Sequence, residues 1–136
     1  MKARTVNEYR GEFEISAKRM KLLHRTNNSE PSLSTNPERL IPYSISCNSP
    51  NGYAWVMGKN HFEIYIKPHT AFLLLDVKNN FWDFGDENDS PIMIGRKVYK
   101  YAIDNNVDII KIKNIPQVGT EFAIINLDCI ESAIKK

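Results

Sequence analysis

Hydrophobic and polar positions alternate with period two over several stretches of this chain, a pattern that predicts strands with one buried face. Phe13 and Ile15 alternate with Glu12, Glu14 and Ser16 as a short or frayed strand would, and Lys21 to Arg25 reads as the first full strand. Leu40 to Ser46 reads as a short strand at an edge, because Pro42 removes a ladder donor. His61 to Lys67 sets Phe62, Ile64 and Ile66 against Glu63, Tyr65 and Lys67, and Ala71 to Val77 is apolar enough for a buried strand. Val107 to Lys113 and Glu121 to Asn126 complete the strands. Two stretches follow helical signals instead. Ser49 can cap one, with Pro50 in its first turn, Tyr53, Trp55, Val56 and Met57 as apolar bulk and Gly58 as its stop. The other runs from Ile92 to Asn105, where Ile94, Val98, Tyr101 and Ala102 recur at helical spacing. Asp128 to Ile134 reads as one helical turn or an extension. Residues 27–41, rich in Asn, Ser, Pro and Thr, and the Asn- and Asp-rich stretch Asn79 to Pro91 read as loops. Phe81, Trp82 and Phe84 would pin the second loop to the body.

A chain of 136 residues is one domain, and at that size it buries roughly two-thirds of the surface its unfolded form exposes. Residues 1–20 read as an N-terminal extension with room for the short strand, and residues 21–136 as the domain. Its 18 basic and 16 acidic residues leave a formal charge of +2. That near balance, spread along the chain, argues against a dedicated nucleic-acid binder held by a broad field. Lys18, Arg19, Lys21 and Arg25 do gather, in the manner of a solvated edge. Cys47 and Cys129 are isolated thiols without CxxC spacing, read as reduced, and they cannot supply a four-ligand zinc site. No run approaches the roughly 20 apolar residues of a membrane span. The expected location is the cytoplasm, that of the host if the source is viral; the abundance of Asn, Ile and Lys is that of an AT-rich genome.

One residue breaks the pattern in a way that asks for chemistry. Glu121 stands beside Phe122, Ile124 and Ile125, and a carboxylate buried there without a partner costs several kcal/mol. It should therefore lie at a strand end or in a cleft, where a carboxylate is a candidate catalyst. Near the other end, Leu22-Leu23-His24-Arg25-Thr26 puts His24 and Thr26 on one face of a strand and Arg25 on the other. A histidine beside leucines is as often a satisfied structural group as a ligand. Asp83-Phe84-Gly85 copies a kinase tripeptide, but no glycine-rich nucleotide loop accompanies it. Asp83, Asp86, Glu87 and Asp89 lack the spacing of a calcium loop, and His24, His61 and His69 form no metal-ligand spacing, so no metal is expected.

The order of these pieces resembles the ADP-ribosyltransferase superfamily, in its small His-Tyr-Glu type found in phage and bacterial polymorphic proteins. Leu23-His24-Arg25-Thr26 is similar to that group's first-strand His-x-Thr. Tyr43-Ser44-Ile45-Ser46 running into Gly52-Tyr53-Ala54, and the late Glu121-Phe122-Ala123-Ile124, supply the other two motifs. Each motif is short and degenerate, so order and spacing carry the likeness, which covers residues 21–131. One position departs: relatives that modify arginine place Glu or Gln two residues before the catalytic glutamate, and here Gly119 stands there, with Gln117 the nearest candidate.

The resemblance implies an α+β fold, a split β-sandwich of two small, mainly antiparallel sheets with flanking helices, holding NAD in the cleft between them. It implies transfer of ADP-ribose from NAD to a macromolecular acceptor, protein before nucleic acid, with release of nicotinamide and no metal. Glu121 would be catalytic, stabilising the oxocarbenium-like ribose and bonding its 2′-hydroxyl. His24 and Thr26 would hold the adenosine side, Tyr53 would stack on nicotinamide, and Ser44 would support the cleft. Arg25 suits a pyrophosphate and is a second choice, as Trp55 is to Tyr53. The rivals are simple NAD hydrolysis and a catalytically silent domain that keeps the fold and binds a host or partner protein.

Overall fold

Eight strands and one α-helix stand among the residues described by the computed structural model, which are 12–31, 33, 47–48, 59–115 and 119–136. The strands are β1 (Glu12–Ile15), β2 (Met20–Thr26), β3 (Cys47–Asn48), β4 (Asn60–Ile66), β5 (Ala71–Asp76), β6 (Ile109–Ile115), β7 (Gly119–Ile124) and β8 (Ile130–Lys135), and the helix is α1 (Pro91–Asp104). They form one ladder in the order β1-β5-β6-β7-β3-β2-β4-β8. Only β5 and β6 run parallel, and a parallel pair needs a long crossover, here made by α1. The ladder is two mostly antiparallel halves, β1-β5-β6-β7 and β2-β4-β8, joined through the two residues of β3. The strand expected over Leu40 to Ser46 and the helix expected over Ser49 to Gly58 lie outside the described residues, as do Ser44 and Tyr53.

The apolar pattern divides into two cores because strand side chains alternate. On one face, Leu73, Leu75, Ile110, Ile112 and Ala123 pack under Ile94, Val98 and Ala102 of α1 and under Phe81 and Phe84. The second core gathers Leu22, Phe62, Ile64 and Ile66 from one half of the ladder and Phe72, Ile109, Phe122 and Ile124 from the other. The two halves therefore fold toward each other over this second cluster. Helix α1 starts where Ser90 Oγ accepts from Met93 N, with Pro91 in its first turn, and it ends at Asn106, whose φ of 55° is a conformation Asn tolerates. Phe81–Phe84 forms a 3-10 turn in which Phe81 and Phe84 are buried and pin the acidic loop, whereas Trp82, also expected to do so, is exposed. The tail, expected as one helical turn or an extension over Asp128 to Ile134, is a 3-10 turn only at Leu127–Cys129 and then β8, an edge strand laid on β4.

Asp108 ties three strands at the end of the ladder. Its carboxylate accepts from Ala71 N at 2.8 Å and from Asn126 Nδ2 at 2.9 Å, and its carbonyl accepts from Ile125 N and Asn126 N. Hydrogen bonds to a charged acceptor contribute more than neutral ones, so Asp108→Ala is expected to lower stability by about 2–4 kcal/mol. Urea unfolding monitored by circular dichroism checks this, and a loss under about 0.5 kcal/mol would contradict the assigned role.

Candidate functional site

Glu121 is the third residue of β7 and is buried, with 4 % of its surface exposed. The strand begins at Gly119, whose φ of 91° lies where side-chain-bearing residues are strained. A Glu or Gln at that position would carry roughly 1–3 kcal/mol of backbone strain. The departure from the arginine-modifying pattern is thus built into the chain path and is not a neutral substitution.

Strand pairing brings together segments that are far apart in sequence. Leu23 of β2 is the Cα partner of Asn48, and Asn48 is the partner of Glu121. Glu121 in turn lies opposite Ile112. The strands bearing His24 and Glu121 therefore flank the same two-residue strand, two ladder steps or about 10 Å apart. The stretch containing Ser44 leads into that short strand, and the stretch containing Tyr53 follows it in sequence.

Side-chain directions within this row correct the expectation that His24 and Glu121 face one hollow. Cross-strand partners lie on one face, so Leu23 and Glu121 share a face and His24, one residue on, leaves from the other. The packing agrees: His24, 6 % exposed, lies against Phe62 with ring centroids 6.3 Å apart, and Phe62 belongs to the core between the halves. Glu121 shares its face with Ala123 and Ile112, which belong to the core under α1. Thr26 follows His24 by period two, and its Oγ1 accepts from Asn28 N at 3.1 Å, so the hydroxyl helps fix the turn after β2.

Arg25 is the group that pairing moves onto the Glu121 face, since it stands two residues beyond Leu23. Its Nε is buried and has no hydrogen-bond partner. A buried donor without an acceptor costs about 1–3 kcal/mol, more when charged. His61 of β4 is the Cα partner of Arg25 and is exposed. Periodicity alone could not have found this pair, because the alignment of β2 with β4 and β7 is set by contacts between distant segments.

Cys129 is a buried free thiol whose pKa burial pushes up to about 12, so it stays protonated and unreactive at neutral pH. Among the described residues no three carboxylate, imidazole or thiol groups converge as a metal ion requires, and no helix is long and apolar enough to cross a membrane. Comparison of the chain with protein-family models, with curated proteins and with solved structures found no match.

Proposed function

We propose that the chain breaks the bond between nicotinamide and ribose in NAD and passes ADP-ribose to a macromolecular acceptor, a protein before a nucleic acid. The observation that supports this reading is the β2-β3-β7 adjacency, which sets the Glu121 strand and the His24 strand on either side of the short strand reached through Ser44. Nicotinamide departs with the bonding electron pair, leaving positive charge on the ribose. A carboxylate in a water-poor setting is worth most at that point, because its field is little screened. The acceptor nucleophile then attacks the anomeric carbon and gives up its proton, to Glu121 or to water. In this reading Tyr53 stacks on nicotinamide, Ser44 supports the carboxylate, and His24 and Thr26, which leave β2 on the face opposite Glu121, meet the adenosine side only around the rim of the short strand.

NAD labelled on its adenosine half, incubated with the protein and a cell lysate, tests the proposal. Labelled macromolecule with stoichiometric free nicotinamide is expected. Free ADP-ribose without labelled macromolecule would make the protein an NAD hydrolase, and no nicotinamide at all would overturn both enzymatic readings.

The opposed directions of His24 and Glu121 favour a second reading, a domain of this fold that binds a host or partner protein without catalysis. His24→Gln separates the two. If His24 reaches NAD around the rim of the short strand, the variant weakens NAD binding about tenfold, as expected for a lost hydrogen bond to a ribose hydroxyl. Unchanged NAD affinity with a lower melting temperature assigns His24 to the core.

A further inference from the structure

We propose that β1 is a docking edge for an extended segment of a partner protein in which basic and apolar residues alternate. The inference stands apart from the NAD reading, since it uses none of the residues assigned to the candidate site. The described ladder ends in two edge strands, β1 and β8, and an edge presents backbone donors and acceptors that another strand can take up. The two ends are built differently. β8 carries Lys135, is followed by Lys136, and its pairing with β4 shifts register between Tyr65 and Ile66, all features that blunt an edge. β1 pairs with β5 in unbroken register and has neither lysine nor proline. It shows apolar side chains instead, with Phe13 50 % and Ile15 60 % exposed.

The side chains of β1 separate into two faces, and together they define the occupant. Phe13 lies opposite Leu73 on the α1 side, where its ring stacks on Tyr101 with centroids 6.0 Å apart. Ile15 follows on the same face, so an added strand meets an apolar row already anchored to the helix. Glu12 and Glu14 leave from the other face, exposed, and neither forms an ion pair among the described residues. The cation in the row of Glu12, Lys111, stands two strands away and lies over the Phe122 ring. Opposite charges directly across a strand pair stabilise it and like charges destabilise it. The edge therefore selects lysine or arginine beside the acids and apolar residues beside Phe13 and Ile15. A second copy of the chain does not meet that demand. Antiparallel pairing of two β1 strands about Glu14 sets the two Glu14 carboxylates opposite each other, and pairing about Phe13 sets Glu12 against Glu14 twice. In strand addition of this kind the backbone supplies affinity and the alternating side chains supply selectivity.

Fluorescence anisotropy of a labelled peptide of alternating lysine and valine, titrated with the full chain, tests the edge. The wild-type protein is expected to bind it, and to bind a peptide of alternating glutamate and valine at least about tenfold more weakly. Glu14→Gln should weaken binding about threefold and the double variant Glu12→Gln, Glu14→Gln about tenfold, since each removes a cross-strand charge pair. Ile15→Ser, at an exposed position, should cost about threefold, with circular dichroism unchanged. The lysine and valine peptide methylated at every backbone nitrogen should bind at least about tenfold more weakly, because it has no donors left for the edge. Glu87→Gln, in the acidic loop before α1, should bind as the wild type does. Equal binding of the acidic and basic peptides overturns the proposal, as does undiminished binding of the methylated peptide. An equal loss in Glu87→Gln and Glu14→Gln overturns it too, because it would mean diffuse attraction. A chain that sediments as a dimer, and as a monomer after Ile15→Lys, would assign the edge to a second copy and overturn it as well.

Discussion

Glu121→Gln is expected to slow nicotinamide release by about 10²–10³, while NAD affinity changes by no more than a few fold. The amide is nearly isosteric with the carboxylate and can still bond a ribose hydroxyl, so ground-state binding is largely kept. What it lacks is negative charge, and the need for charge arises only as the glycosidic bond stretches and the ribose becomes cationic. The buried position of Glu121 makes that charge effective because little water screens it. Single-turnover release measured by chromatography, alongside calorimetric NAD binding, separates the two effects. Release at the wild-type rate would remove Glu121 from the mechanism.

Phe122→Ala, the very next position, should do the opposite: damage the fold by about 3–5 kcal/mol through lost apolar burial and the cavity left behind. Phe122 is 2 % exposed, meets Phe72 edge-on with ring centroids 6.5 Å apart, and lies 5.8 Å from Lys111 Nζ over its ring. It belongs to the core formed by both halves of the ladder, so its loss loosens the contact between them and not merely one strand. Denaturant unfolding measures this directly. A cost below about 1 kcal/mol would contradict the placement of Phe122 in the core shared by the two halves.

How much of this was legible in the sequence depended on whether the signal was local. The alternation at His61 to Lys67 and the helical spacing from Ile92 to Asn105 correspond to β4 and α1 with ends shifted by a residue. Ser90 and Pro91, read in the sequence as the end of the loop, open the helix, and Asn106 follows its last turn. Phe81 and Phe84 are anchored as their apolar bulk suggests. The extended tail is less legible, because β8 is half solvent-facing and gains its ladder only from the open edge of β4.

Non-local features were not legible. Glu121 stands out in sequence because it interrupts an apolar run, yet nothing in that run tells which residue of β2 it aligns with. Alignment through Asn48 puts Leu23 in its row, so period-two alternation, correctly read along β2, still sends His24 to the other face. The same one-residue phase brings Arg25 onto the Glu121 face and aligns it with His61, a residue considered in sequence only as a metal ligand. Asp108 likewise reads as one polar position in the strand from Val107 to Lys113 until β5 and the residues after β7 are placed around it.

The most direct test is a crystal structure of the Glu121→Gln variant soaked with NAD. The account predicts intact dinucleotide beside β3, with the residue-121 side chain about 3 Å from the 2′-hydroxyl of the nicotinamide ribose. Dinucleotide bound away from residue 121, or a site that stays empty at saturating NAD, would contradict it.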